Sequence, residues 1–302
     1  MSAGRTLNVL VTGGSGPSGI SAARALRNAG HTVFTVGSDG PRIQAAAAEA
    51  GSGVTPLVCD LANLAEVRAL HATVHAMLAD TGGGQTGGGQ TGGVDTGGLD
   101  TGGSVDGVIH LIGGWRGAKG ITDQSDEDWA FLERGAITTL RNVTRVFYDD
   151  LAASDTGRFA MVSSTAVDKP TAGGASYAAA KAAAEAWTLA VADGFHRGQS
   201  GRKQAPSEQQ SPSEPGSAVE QGSAVEPGSA VEPGSAPEQH SAAVIFVVKA
   251  LVDAAMRAKS PERLFPGFTD VEDLAAAAVG LFTSPAAGLN GQRLLLTPGS
   301  KP

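Results

Sequence analysis

Tyr177 and Lys181 stand four residues apart in the stretch ASYAAAKAAAEAW, residues 175–187. A phenol and an ammonium at that spacing share one face of a helix. The ammonium lowers the phenol's pKa toward the range of proton transfer, and it can also reach the ribose of a nicotinamide cofactor. The small side chains of Ala178, Ala179 and Ala180 keep that face open. Thirteen residues before Tyr177, Ser164 ends the apolar run RFAMVSS (158–164). A hydroxyl there can hold a carbonyl oxygen beside the phenol. Ser164, Tyr177 and Lys181 are therefore the expected catalytic residues.

A glycine loop lies far upstream. TGGSGPSG (12–19) follows an apolar run and opens a helical stretch, and Gly14, Gly16 and Gly19 satisfy G-x-G-x-x-G. Glycines at this spacing permit a tight turn and bring backbone against a pyrophosphate at a helix N-terminus. Thr12, Gly13, Gly14, Ser15, Gly16 and Gly19 are the expected phosphate-side cofactor residues. An acid at the tip of the second strand would hold the ribose 2′-hydroxyl of NAD. Gly37 and Ser38 stand there instead, with Asp39 next and Arg42 following. Ser38 and Arg42 can receive a 2′-phosphate, which favours NADP; NAD stays open, because GSDGP also reads as a plain turn. Asp60 can contact the adenine amino group. With Leu61 beside it, and with Gly113, Tyr177 and Lys181, it completes the expected cofactor set.

These residues need a frame. Apolar runs at 7–11, 31–36, 54–59, 106–113, 158–164, 242–248 and 292–297 read as strands. Helical stretches are expected at about 18–29, 41–50, 62–79, 126–153, 175–195, 251–258 and 270–283. Alternation of this kind predicts an α/β fold, a doubly wound, Rossmann-type sheet of seven parallel strands with helices on both faces. Such sheets bind ligands at the carboxyl ends of their strands.

Two segments do not fit that alternation. Residues 82–101 repeat with a period of five and residues 216–239 with a period of six. Units so short and polar cannot bury a face. Spans 81–104 and 197–241 are expected to be disordered low-complexity insertions in a single domain covering 1–302, both at helix-to-strand connections on the edge opposite the ligand site. They hold eight acids against three bases, five of the net −8 charges, so the remaining core of about 233 residues is nearly neutral. The acidic balance argues against nucleic acid as a partner. No apolar run approaches a membrane span. The single Cys59 excludes an internal disulfide, and no signal peptide is read at the N-terminus, so a cytoplasmic location is expected. No metal ligand set is expected.

With Ser164, Tyr177 and Lys181 joined to the glycine loop, the chain resembles the short-chain dehydrogenase/reductase family of the single-domain type, over about 1–80, 105–196 and 242–299. The resemblance implies that Tyr177 is the general acid/base, that Lys181 orients the nicotinamide ribose and lowers the Tyr177 pKa, and that Ser164 positions the reacting oxygen. It also implies hydride transfer at the nicotinamide and a homodimer or homotetramer packed through the helices at 126–153 and 175–195.

Several positions depart from the family pattern. Pro17 stands where the commoner loop has glycine, so the spacing runs through Gly13, Gly16 and Gly19. His110-Leu111-Ile112-Gly113 replaces N-N-A-G, and Lys249-Ala250 replaces Pro-Gly. Ala136 aligns with the helical asparagine that usually completes the catalytic tetrad, and Asn142 points elsewhere. His110 is expected to be a satisfied core histidine, and Trp187 core or dimer surface. Trp115 and Arg116 sit where a substrate pocket would open, and Phe265 and Phe268 are expected to line it under a short lid at 253–270.

The expected activity is an NAD(P)-dependent oxidoreductase acting on a small carbonyl or alcohol substrate. The alternative is a dinucleotide-binding protein of the same fold with little or no catalysis, a redox sensor or scaffold, which Ala136 motivates. An epimerase or dehydratase would keep the same Tyr177 and Lys181.

Overall fold

The computed structural model describes residues 5–82, 103–202 and 239–297. Most of the two expected insertions lies outside the described residues. In chain order the elements begin with β1 (Asn8–Thr12), α1 (Pro17–Asn28), β2 (Thr32–Gly37), α2 (Gly40–Ala50), β3 (Val54–Val58), α3 (Leu64–Gly82) and β4 (Gly107–His110). Then come α4 (Asp126–Glu133), a π-helical turn (Arg134–Thr138), α5 (Thr139–Ala153), β5 (Arg158–Ser164), a 3-10 turn (Ala172–Gly174) and α6 (Ala175–Arg202). The chain closes with β6 (Ala242–Val248), β7 (Leu251–Val252), α7 (Ala254–Lys259), β8 (Thr269–Asp270), α8 (Val271–Gly280), α9 (Ala286–Leu289) and β9 (Arg293–Leu295).

Seven strands pair in the order β3-β2-β1-β4-β5-β6-β9, all parallel, as the alternating pattern predicts. Period-two alternation sends Val9, Val11, Val33, Ile109, Ala160, Val244 and Phe246 to one face, under α1, α2 and α8. Leu10, Phe34, Val108, Phe159, Met161 and Ile245 go to the other face, under α3, α5 and α6. The winding reverses between β1 and β4, and a crevice opens at such a reversal, outside the strand C-termini.

Local chemistry sets the helix boundaries. Asp39, Ser125, Asp253 and Asp270 each accept an N-cap hydrogen bond from their helix's first turn. Three expectations are corrected. The helix expected at 126–153 contains the π turn, where Thr139 N–H reaches back to the Arg134 carbonyl. The helix expected from 251 starts only at Ala254, because Leu251–Val252 pairs with Thr269–Asp270 as a separate two-stranded sheet. α6 continues to Arg202, past residue 197 where an insertion was expected to begin. Among the described residues, no helix is long and apolar enough to cross a membrane.

One buried cation locks the edge of this frame. Arg158, 4% exposed, opens β5 and gives its guanidinium N–H groups to four carbonyls: Leu281 at 2.8 Å, Gly157 at 2.9 Å, His240 at 2.6 Å and Ser284 at 2.9 Å. Burial lowers its pKa to about 10, which still leaves it charged at neutral pH. Arg158→Met would leave those buried carbonyls without their donors, so it should lower the unfolding free energy by about 2–4 kcal/mol. Urea titration checks this as a reduced midpoint at unchanged slope.

Candidate active site

The glycine loop runs from β1 directly into α1. Gly13 has φ of 76°, and a Cβ there would stand 2.7 Å from the Leu111 carbonyl oxygen. Glycine is therefore what lets the chain after β1 approach the chain after β4 this closely. A Cβ at Gly14 would stand 2.8 Å from Thr35 Cβ, and one at Gly19 would strike the Gly13 carbonyl. Gly16 plays a different part: it caps α1 with no side-chain hydrogen bond, leaving the first-turn amides uncovered by any side chain. Bare amides at the positive end of a helix suit a diphosphate. The Ser15 hydroxyl is buried there with no hydrogen-bond partner and lines the adjoining cavity of about 560 Å³. An orphaned hydroxyl beside bare amides fits the phosphates of a dinucleotide.

The far end of that cavity is lined by Ser38, Asp39, Arg42, Asp60, Leu61 and Arg134. The Asp39 carboxylate caps α2 through the Arg42 amide at 2.9 Å. Asp60 accepts from Arg134 Nη2 at 2.5 Å and from the Ala62 amide at 3.0 Å. Asp60 thus stands at the predicted place but is paired with an arginine 74 residues away, one that the sequence reading did not identify.

The catalytic half forms a second cavity of about 670 Å³, which shares Leu111, Ile112 and Gly113 with the first. β5 ends in Ser164 and α6 presents Tyr177 and Lys181 one turn apart, and all three line this cavity. Ser164 is fixed by a bond from the Ala166 amide at 3.2 Å. Burial holds the Tyr177 phenol above its ordinary pKa, with hydrogen bonding by Ser164 pulling the other way. Desolvation outweighs the Ser164 bond in this state. The Lys181 ammonium is buried and donates to the Val162 carbonyl at 2.8 Å. Burial brings it down to about 8, opposed by the Glu185 carboxylate one turn along. A Cβ on Gly113 would approach Lys181 Nζ to 3.1 Å.

Other expected residues stand apart from the cavities. Thr12, Gly14 and Gly19 lie behind the loop and shape it without lining either cavity. Trp115 lines the catalytic cavity and is 68% exposed. Arg116 does not line it; the guanidinium turns to Asp128 at 3.4 Å and stacks on Phe131 at 4.3 Å. Phe265 and Phe268 do not line it either: they pack edge-on against each other at 5.6 Å, with Arg263 over Phe265. Asn142 donates to the Leu61 carbonyl at 3.0 Å, and Trp187 to Thr144 at 2.9 Å. Ala136 is buried in the π turn against Ala180 and Tyr177.

Comparison with known proteins adds a partial family match. The short chain dehydrogenase model matches residues 98–199, which contain Ser164, Tyr177 and Lys181. The fold is the one that solved short-chain dehydrogenase/reductase structures have. Solved structures of this fold align end to end. An NADPH-bound short chain oxidoreductase from Pseudomonas aeruginosa PAO1, described as containing an atypical catalytic center, shares 16% identity over 98% of each chain at a TM-score of 0.67. A short chain dehydrogenase/reductase family oxidoreductase from Burkholderia thailandensis shares 16% over 97% of this chain and 92% of that one, at 0.66. An NAD+-bound xylitol dehydrogenase shares 15% over 97% and 98%, at 0.64. No curated protein matches the chain.

The sequence reading passed over Glu185, on the same helix as Tyr177 and Lys181. Its carboxylate accepts from Ser163 at 2.5 Å and pairs with Arg293 at 2.9 Å, and Arg293 also holds Asp168 at 2.9 Å. The i, i+4 spacing from Lys181 was the available signal. Glu185 supports the charged form of Lys181, so Glu185→Gln should move the lysine's titration below about 8. Carbon NMR of the lysine side chain reads that shift directly, without any turnover assay.

Proposed function

We propose that the chain is an NAD(P)-dependent oxidoreductase that interconverts a carbonyl and an alcohol, with Tyr177 as general acid/base. The observation that carries this reading is the meeting of Ser164, Tyr177 and Lys181 in one cavity that adjoins the glycine-loop groove. A bound reduced nicotinamide supplies the hydride that adds to the carbonyl carbon. Ser164 holds the carbonyl oxygen, and Tyr177 gives its phenolic proton to that oxygen. Lys181 stabilises the phenolate left behind and holds the ribose. In the oxidative direction the same groups run in reverse, with the Tyr177 phenolate taking the hydroxyl proton.

NADP is the preferred cofactor in this reading, because Ser38 and Arg42 line the ribose end and the Asp39 carboxylate is spent on the α2 cap. The substrate carries an anionic group: Lys169 and Lys249 line the catalytic cavity along with Lys181, and no carboxylate lines it. Ala136 supports a second reading, a dinucleotide binder with weak catalysis, since a methyl group offers no hydrogen bond beside Tyr177.

Thermal shift with NADPH and NADH, followed by turnover across neutral and acidic carbonyl compounds, separates the readings. NADPH should stabilise more than NADH, and Arg42→Ala should remove most of that difference. Tyr177→Phe should lower carbonyl reduction at least about a hundredfold while leaving NADPH binding intact. Reduction by the parent enzyme should fall as pH rises through about 8, where Lys181 loses its proton while Tyr177 keeps its own. Binding without turnover on any compound selects the second reading, and a shift with neither cofactor overturns both.

A further inference from the structure

A separate cluster lies at the opposite edge of the sheet. His71 and His75 are four apart on α3 and present Nε2 atoms on one face. Asp150, near the end of α5, meets both: His71 Nε2 is 3.2 Å from Oδ1 and His75 Nε2 is 2.7 Å from Oδ2. All the ligand atoms lie within 4.8 Å of one another. We propose that His71, His75 and Asp150 bind one divalent transition-metal ion of the zinc class, closed by water, and tie α3 to α5 away from the catalytic groove.

Ligand type, count, support and access all agree. Zinc takes neutral imidazole and carboxylate together, and three protein ligands plus water make a common set. Two histidines at i, i+4 on one helix face are a recurring way to hold it. The two nitrogens approach different oxygens of Asp150, at 3.2 and 2.7 Å, so an ion seated between the three side chains would take one carboxylate oxygen or both. The supports of the ligands are also in place. The Val105 amide donates to Asp150 Oδ2 at 3.2 Å, and Phe147 meets the His71 ring edge-on at 5.1 Å. Such outer contacts fix ligand orientation and raise affinity. The carboxylate side chain is 10% exposed, whereas the imidazoles are 29% and 33% exposed, which leaves the solvent side open for entry and for the water ligand.

The location indicates a structural ion. Val105 leads into β4, and Asp150 lies one turn before the end of α5, so the cluster sits at the N-terminal edge of the strands. The ion would clamp the middle of α3 to α5 and, through Asp150, to the approach to β4. It would touch no residue of the catalytic set, so this inference stands independently of the proposed reaction.

The test uses the full, untagged chain, stripped with a chelator and dialysed against zinc. One zinc should be retained per chain, and calorimetry should show His75→Ala and Asp150→Asn each weakening it at least about tenfold. His196→Ala, a histidine elsewhere on the surface, should leave binding unchanged. Parent-like affinity in both ligand variants, or no stoichiometric zinc, overturns the proposal. Should a variant fail to fold, zinc X-ray absorption of the loaded parent reads the ligands directly. Two imidazoles with oxygen support the site; sulfur, or fewer than two imidazoles, overturns it.

Discussion

Burial of the Lys181 ammonium is the constraint around which the catalytic half is arranged. An ammonium taken out of water costs several kcal/mol unless acceptors and countercharge replace the solvent. Val162 supplies a carbonyl from the middle of β5, and Glu185 supplies the countercharge one helical turn away. Gly113 supplies space, since any side chain there would crowd the ammonium. Glu185 is in turn fixed by Ser163 and Arg293, so β5, α6 and β9 converge on one charge. The same burial gives the lysine a titration near neutrality, which a surface lysine would not have.

The frame was legible because its signals are local and periodic. Apolar runs marked all seven strands of the main sheet, and the glycine loop announced the first crossover. The meeting of Ser164, Tyr177 and Lys181 in one cavity was legible because Tyr177 and Lys181 are one turn apart and Ser164 closes an apolar run. What escaped notice was contact between distant positions. Asp60 and Arg134 lie 74 residues apart, and nothing near either one signals the pair. The direction of Arg116 depends on Asp128 and Phe131, which only the fold of that loop brings together. The π turn holds Gly135, but an isolated glycine inside a helical stretch does not by itself mark a π turn. His71 and His75 are a different case: their spacing was visible, but it has no force until Asp150 arrives from another helix.

The two carboxylates that line the far end of the glycine-loop cavity are both engaged by the protein. Asp39 caps a helix and Asp60 pairs with Arg134. A carboxylate engaged in this way has less capacity to accept from a ribose hydroxyl. The remaining charge at that end belongs to Arg42 and to the partnered Arg134. In the proposed reading, this electrostatic balance argues for a phosphorylated ribose more firmly than does the missing acid at the tip of β2.

The π turn that holds Ala136 is tied to the histidine at the end of β4. Thr139 donates its hydroxyl proton to the Gly135 carbonyl at 2.7 Å, so toward His110 Nε2, at 3.3 Å, it can only accept. His110 Nε2 therefore carries the proton, and Nδ1 accepts from Thr12 at 2.8 Å. Burial, together with Lys181, pushes the His110 pKa to about 3, so the imidazole stays neutral and this order is permanent at any working pH. A one-directional chain thus joins β1, β4 and the π turn beside the catalytic cavity. Ala136 itself gives the turn only apolar packing, against Ala180 and Tyr177, so the polar contact that reaches the turn from β4 runs through Thr139 to the Gly135 carbonyl.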